Sequence, residues 1–326
     1  MDFKKIIESK DYAFLRENER LKDNIIFLTL GGSYAYGTNI ETSDIDIRGC
    51  ALNSKNDLLG FSNFEQFINE QTDTVIYSFN KLISLILNCN PNTIEFLGCK
   101  PEHYLQVSDI GQSLLANKKL FLSKRAINSF GGYANQQLRR LQNALAHDTY
   151  PAEEKEKHIM GSCQMVLNNF EKEFKDKVSF SLKDEILINA NLENYSLREF
   201  INLISNLNNT VKNYDKLNKR NSKKDDLHLN KHAMHLVRLY LMCFDILEKE
   251  EIITYRPERE FLLQIRNGYY MNKDGTFNSS FFDLINTYEK RLEYDKNNTN
   301  LPEQPNIKLV EDFVISVNEQ IVKGEK

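Results

Sequence analysis

The chain has 326 residues, 41% of them hydrophobic and 27% charged, with a formal net charge of −4. These values describe a globular protein with room for two domains. They exclude a chain coated in positive charge for nucleic acid, and no apolar run nears the roughly 18 residues that a membrane span needs. The opening Met1-Asp2-Phe3-Lys4-Lys5 leads into a polar segment without a secretory apolar region, so a cytoplasmic location is expected. Five cysteines, none in a Cys-x-x-Cys pair, predict reduced and mostly buried thiols. Charge is uneven: residues 1–115 carry 10 Lys and Arg against 16 Asp and Glu, while 116–326 carry 32 against 30.

In chain order, Lys22 to Leu30 reads as a buried strand that stops at Gly31-Gly32. Asp44 to Cys50 alternates charged and apolar residues, the period of a strand with one wet face, and Asp73 to Ser78 alternates likewise. Phe79 to Cys89 has helical spacing, and Pro91 opens a short helix through Leu97. From about residue 120 the pattern becomes helical. Ser196-Leu197-Arg198-Glu199 is a capping box, Pro257 and Gly268 bracket a helix, and Leu309, Phe313, Val317 and Ile321 mark a last one. The expected architecture is α+β, with a small sheet and covering helices in residues 1–118 and a mostly helical domain in 119–326.

Gly31-Gly32-Ser33 and Asp44-Ile45-Asp46 carry the chemistry. On a strand, residues i and i+2 share a face, so Asp44 and Asp46 would project together, and two close carboxylates repel unless a cation lies between them. Magnesium, a hard ion with oxygen ligands, suits them, and manganese is the alternative ion. A two-metal site generally needs a third carboxylate. Asp73, at the head of the third strand, is the choice, with Glu70 as fallback. Glycines let the main chain approach phosphate oxygens, and the Ser33 hydroxyl would extend that anion-binding concavity. Gly32 to Gly37 has P-loop spacing but is followed by Thr38-Asn39, without the lysine that motif requires. The plainer alternative is a tight turn and a solvated strand face.

Gly32-Ser33 followed after ten residues by Asp44-Ile45-Asp46-Ile47 resembles the core pattern of the DNA polymerase β-like nucleotidyltransferases. The fuller run from Gly32 to Gly37, with Ser43 to Gly49, is similar to the members named for an RNA repair pathway. Asn90-Pro91-Asn92 with Glu95, Lys231-His232 through Leu239, and Arg259 to Gly268 fit that family too. The resemblance implies a mixed-sheet core, dependence on Mg²⁺, and attack of a hydroxyl on the α-phosphate of a nucleoside triphosphate. Asp44 and Asp46 carry over by motif, and Asp73 by position. An RNA 3′ end is the preferred acceptor, with a protein or small-molecule hydroxyl as runner-up. A catalytically silent nucleotide-binding module is the rival of another class.

His228, Lys231, His232, His235 and Arg238 form one helical stripe, expected to face the cleft and hold phosphates through Lys231, His235 and Arg238. A solvated helix face or a zinc site through the histidines are the alternatives. Arg259 and Arg266, seven apart, are further nucleotide-binding candidates, whereas Asn90 and Glu95 are expected to brace the helix behind the site. Lys212, Lys216, Lys219, Arg220, Lys223 and Lys224 are the densest basic run, either a path for RNA phosphates or a solvated loop.

Overall fold

The computed structural model describes residues 3–145, 159–164, 166–167, 177–183, 185–191, 193–194, 196–220, 226–273, 275 and 277–325. Five strands, β1 (Ile25–Leu30), β2 (Ile47–Ala51), β3 (Gln66–Asn69), β4 (Thr74–Ser78) and β5 (Tyr104–Val107), form one sheet in the order β3-β4-β2-β1-β5. The sheet is mixed: β2 and β4 run parallel and the other neighbours antiparallel. The apolar run of the sequence becomes β1, buried at every position because it is interior to the sheet and covered on both faces.

Short helices α1 (Phe3–Ile7), α2 (Phe14–Glu17), α3 (Gly32–Tyr36) and α4 (Lys55–Leu59) lie along this half, followed by α5 (Phe79–Leu87), α6 (Pro91–Ile94), α7 (Asp109–Ala116) and α8 (Arg125–Leu145). Polar caps set several starts. Ser78 accepts from the Lys81 amide, and Asn90, ahead of Pro91, accepts from the Asn92 amide. A separate hairpin, β6 (Val178–Leu182) and β7 (Ile186–Ala190), precedes the long α9 (Leu197–Arg220) and α10 (Asp226–Lys249). The chain ends in α11 (Arg259–Arg266), α12 (Ser279–Asn298) and α13 (Ile307–Lys323). Ser196 caps α9 through the Glu199 amide, as its capping box predicts. No helix of the described residues is long and apolar enough to cross a membrane. All five cysteines are free thiols, four of them buried.

Two compact units result. One joins Met1–Gln137, Ala233–Tyr270 and Phe277–Lys326, and the other joins Leu138–His232 and Met271–Thr276. This division differs from a single boundary near residue 118. From Ala233 onward α10 is buried at almost every position, and a helix apolar on all sides needs neighbours all round, which it finds in the unit that holds the sheet.

The second strand also differs from its sequence reading. It begins at Ile47, so Asp44 and Asp46 precede it. A strand lasts only as long as its partners, and here Leu30 ends β1 opposite Ile47 while Thr74 opens β4 beside it. The last main-chain bonds run from the Gly31 amide to the Asp46 carbonyl and from the Ile47 amide to the Asp73 carbonyl.

Candidate active site

That register builds the site. Leu30, Ile47 and Thr74 form one row at the end of three adjacent strands, so Gly31, Asp46 and Asp73, each one residue beyond the row, meet there although 42 residues separate the first from the last. Asp73 closes the turn between β3 and β4 with φ +42, and Asn69 steadies that turn by accepting from the amides of Gln71 and Thr72.

Arg48 ties the row together. It sits two residues after Asp46, within β2, and reaches both carboxylates. Its Nη2 donates to Asp46 Oδ1 at 3.0 Å and to Asp73 Oδ1 at 3.1 Å, and its Nη1 donates to the carbonyls of Ile47 and Asp73. Burial pushes the Asp46 carboxyl up to about 6, reinforced by its contact with Asp73 and opposed by Arg48. Asp73, in turn, is held below the usual carboxylate range by its hydrogen bond with Asp46 and by Arg48.

The two glycines have a steric reason to be there. A Cβ on Gly32, whose φ is +52, would lie 1.8 Å from Asp46 Oδ2, and one on Gly31 would lie 2.7 Å from Arg48 Cγ. Gly31-Gly32 thus leaves the space that the Asp46 carboxylate and the Arg48 stem fill, a role beyond the approach to phosphate that the sequence suggests. Gly31 is the N-cap of α3, and among the described residues no partner is seen for the half-buried Ser33 hydroxyl in its first turn.

A buried network fixes α3 from behind. The Tyr36 hydroxyl donates to Glu95 Oε2 at 2.5 Å, Arg238 Nη1 donates to the same oxygen at 3.4 Å, and the Arg238 guanidinium lies 3.6 Å from the Tyr36 ring centre. Burial raises Glu95 and Tyr36 above their usual values. The Tyr36 carbonyl accepts from the Arg256 amide, and the fully buried Arg256 side chain pairs with Asp245 at 2.6 Å. The segment leaving α3 is held as well, by Arg266 donating to the Thr38 carbonyl at 2.7 Å.

Asp46, Asp73, Gly32 and Ser33 gather at the end of the sheet. Asp44 is exposed, two residues before Asp46, and Glu70 is exposed at the other end of the β3–β4 turn. Arg238, expected to face the cleft and hold phosphates, is buried against Glu95, and Asn90 and Glu95 cap and brace as their sequence contexts indicate. Arg259 reaches Glu260 and the Tyr255 ring, over which Lys100 also sits, 3.5 Å from the ring centre. Lys231 is exposed in the second unit, and His235 lies half-buried in the first. Lys223 and Lys224, and the side chains of Lys216, Lys219 and Arg220, lie outside the described residues.

Four contributors carry no role in the sequence reading: Arg48, Tyr36, Asp245 and Arg256. Arg48 had a signal, its place two residues after Asp46 in the period-2 alternation. Glu95 within Ile94-Glu95-Phe96-Leu97 signals a buried charge in need of a cation, but nothing in the sequence says that the cation is 143 residues away.

Among the described residues no group of three His, Cys, Asp or Glu is disposed to hold a metal. The chemistry of the Asp46 and Asp73 pair nonetheless fits a hard divalent cation, since the two supply carboxylate oxygens side by side at the end of the sheet.

Residues 3–160 match the family model described as the RNA repair pathway DNA polymerase beta family. No curated protein and no solved structure matches the chain. The match spans all five strands, the Gly31-Gly32-Ser33 turn and the Asp46, Arg48 and Asp73 cluster, so this region of the chain is similar to the polymerase-β-like family of the RNA repair pathway.

Proposed function

We propose that the chain is a nucleotidyltransferase that moves a nucleoside monophosphate from a nucleoside triphosphate to a hydroxyl, preferably an RNA 3′ end. One observation carries this reading: the strand register brings the Gly-Gly-Ser turn and two carboxylates to the same end of the sheet, supplying phosphate donors and cation ligands side by side.

In this reading Asp46 and Asp73 hold Mg²⁺ or Mn²⁺, with Asp44 as the third carboxylate. The bound cations would supply charge for the triphosphate and lower the cost of deprotonating the acceptor hydroxyl. The protein's own part is placement. Main-chain amides at the start of α3 and the Ser33 hydroxyl face the phosphates, and the buried Tyr36, Glu95 and Arg238 network keeps α3 from shifting as they bind. Positioning and charge stabilisation account for most of the catalysis in phosphoryl transfer. Lys231, His235, Arg259 and Arg266 are proposed to assist nucleotide binding, Arg266 by steadying the Thr38 carbonyl. The preference for RNA rests on the family; the basic run of α9 is a candidate path for its phosphates.

A second reading has an observation of its own. Because Arg48 already bridges the two carboxylates and offsets part of their charge, a catalytically silent nucleotide-binding module would also be stable. The test is incubation with each α-labelled nucleoside triphosphate and Mg²⁺, with RNA, DNA, small alcohols or the protein itself as acceptor. Label on RNA supports the proposal in full, and label on another acceptor keeps the chemistry but changes the substrate. Nucleotide binding without any transfer leaves the silent module.

A further inference from the structure

We propose that Arg48 is a positioning residue for the carboxylate pair, standing where a divalent cation takes the oxygens of Asp46 and Asp73 and giving way when one binds. The inference rests on the nucleotidyltransferase reading above.

The geometry is specific. One nitrogen, Nη2, lies 3.0 Å from Asp46 Oδ1 and 3.1 Å from Asp73 Oδ1. A divalent cation held by Asp46 and Asp73 would draw on carboxylate oxygens that Nη2 already engages, so guanidinium and ion compete for them. The guanidinium and the ion are alternatives there. Arginine suits this task because its planar fork makes several directed bonds at once. Besides the two carboxylates it is anchored by the carbonyls of Ile47 and Asp73, and its stem runs through the space left open by Gly31. The side chain is 20% exposed, which leaves it a way out towards solvent. Without a counter-charge the half-buried Asp46 and its neighbour Asp73 would repel, and the side-chain tie between Asp73 and β2 would be lost. Arg48 therefore keeps the two ligands together until the cation arrives, at the cost of competing with it.

The sign of one measurement separates this role from that of a simple clamp. Mn²⁺ binding to the full-length protein would be followed by electron paramagnetic resonance of the free ion for the parent, Arg48→Gln, Arg48→Lys and Asp46→Asn. If Arg48 competes with the ion, Arg48→Gln binds Mn²⁺ at least about fivefold more tightly than the parent. A lysine cannot hold both carboxylates and both carbonyls, so Arg48→Lys also binds more tightly, by a smaller factor. Unchanged or weaker binding by Arg48→Gln overturns the proposal, and should that variant fail to fold, unchanged or weaker binding by Arg48→Lys does so. Asp46→Asn tests the underlying reading separately: if it binds Mn²⁺ as the parent does, the ion is held elsewhere and the carboxylate assignment fails, whatever Arg48 does.

Discussion

Replacing Gly32 with Ala puts a methyl group where the structure has Asp46 Oδ2. The added Cβ would sit 1.8 Å from that oxygen and 2.8 Å from Asp46 Cγ, so the carboxylate must swing away by more than 1 Å to reach ordinary contact. Two costs follow for the fold. An L-residue with a side chain at φ +52 costs about 1–2 kcal/mol, and loosening the link between Asp46 and Arg48 costs up to about 1 kcal/mol more. A total of about 2 kcal/mol lowers the melting temperature by about 4–8 °C. The effect on turnover should be far larger, because a displacement of about 1 Å in a reacting group costs about 100-fold. The assay pairs a calorimetric melt with transfer of α-labelled nucleotide. Gly31→Ala is the control: its Cβ meets Arg48 Cγ at 2.7 Å without a positive φ, so it should lose less stability. If Gly32→Ala melts within about 1 °C of the parent and turns over within twofold of it, the close packing of turn and carboxylate is refuted.

Ser33→Ala removes a hydroxyl with no seen protein partner, so thermal stability should hold while affinity for nucleoside triphosphate with Mg²⁺ falls by about 1.5–3 kcal/mol in titration calorimetry; an unchanged dissociation constant makes Ser33 a turn residue only. Arg238→Met leaves Glu95 as a buried carboxylate without its counter-charge, held only by the Tyr36 hydroxyl, and should cost about 3–5 kcal/mol in urea denaturation, much of it recovered by Glu95→Gln in the same chain; an equal cost in the double variant would show that the pair is not what matters. Asp57 has a pH signature: burial pushes its carboxyl up, but hydrogen bonds from Ser54, Ser62 and Arg20 outweigh that and hold it well below the ordinary value. Its contribution is therefore present above the unfolded value of about 3.9 and is lost as pH falls towards the folded one. Asp57→Asn should be less stable than the parent at pH 7, with a gap that narrows below about pH 4; a gap that stays constant would contradict the assignment.

Local pattern was enough for much of this molecule. The continuous apolar run before Gly31 reads as an interior strand, the helix starts at Ser78, Asn90 and Ser196 follow from capping chemistry, and Gly32-Ser33 with Asp44-Ile45-Asp46 marked the region of the candidate site. Those signals act over a few residues, and side-chain period and backbone hydrogen bonding read them directly. Tertiary structure decided what lies beyond that range. Only the register of β1, β2 and β4 brings Asp73 beside Asp46 and ends β2 at Ile47, since a strand stops where its neighbours stop. Pairing likewise turned Arg238 from a phosphate candidate into the buried counter-charge of Glu95, because a carboxylate in an apolar helix takes the nearest cation whatever its distance along the chain. The Gly-Gly pair shows both levels at once: sequence marks a turn where glycine lets the main chain approach phosphate, and only the fold shows that a side chain there would enter the space of Asp46 and Arg48.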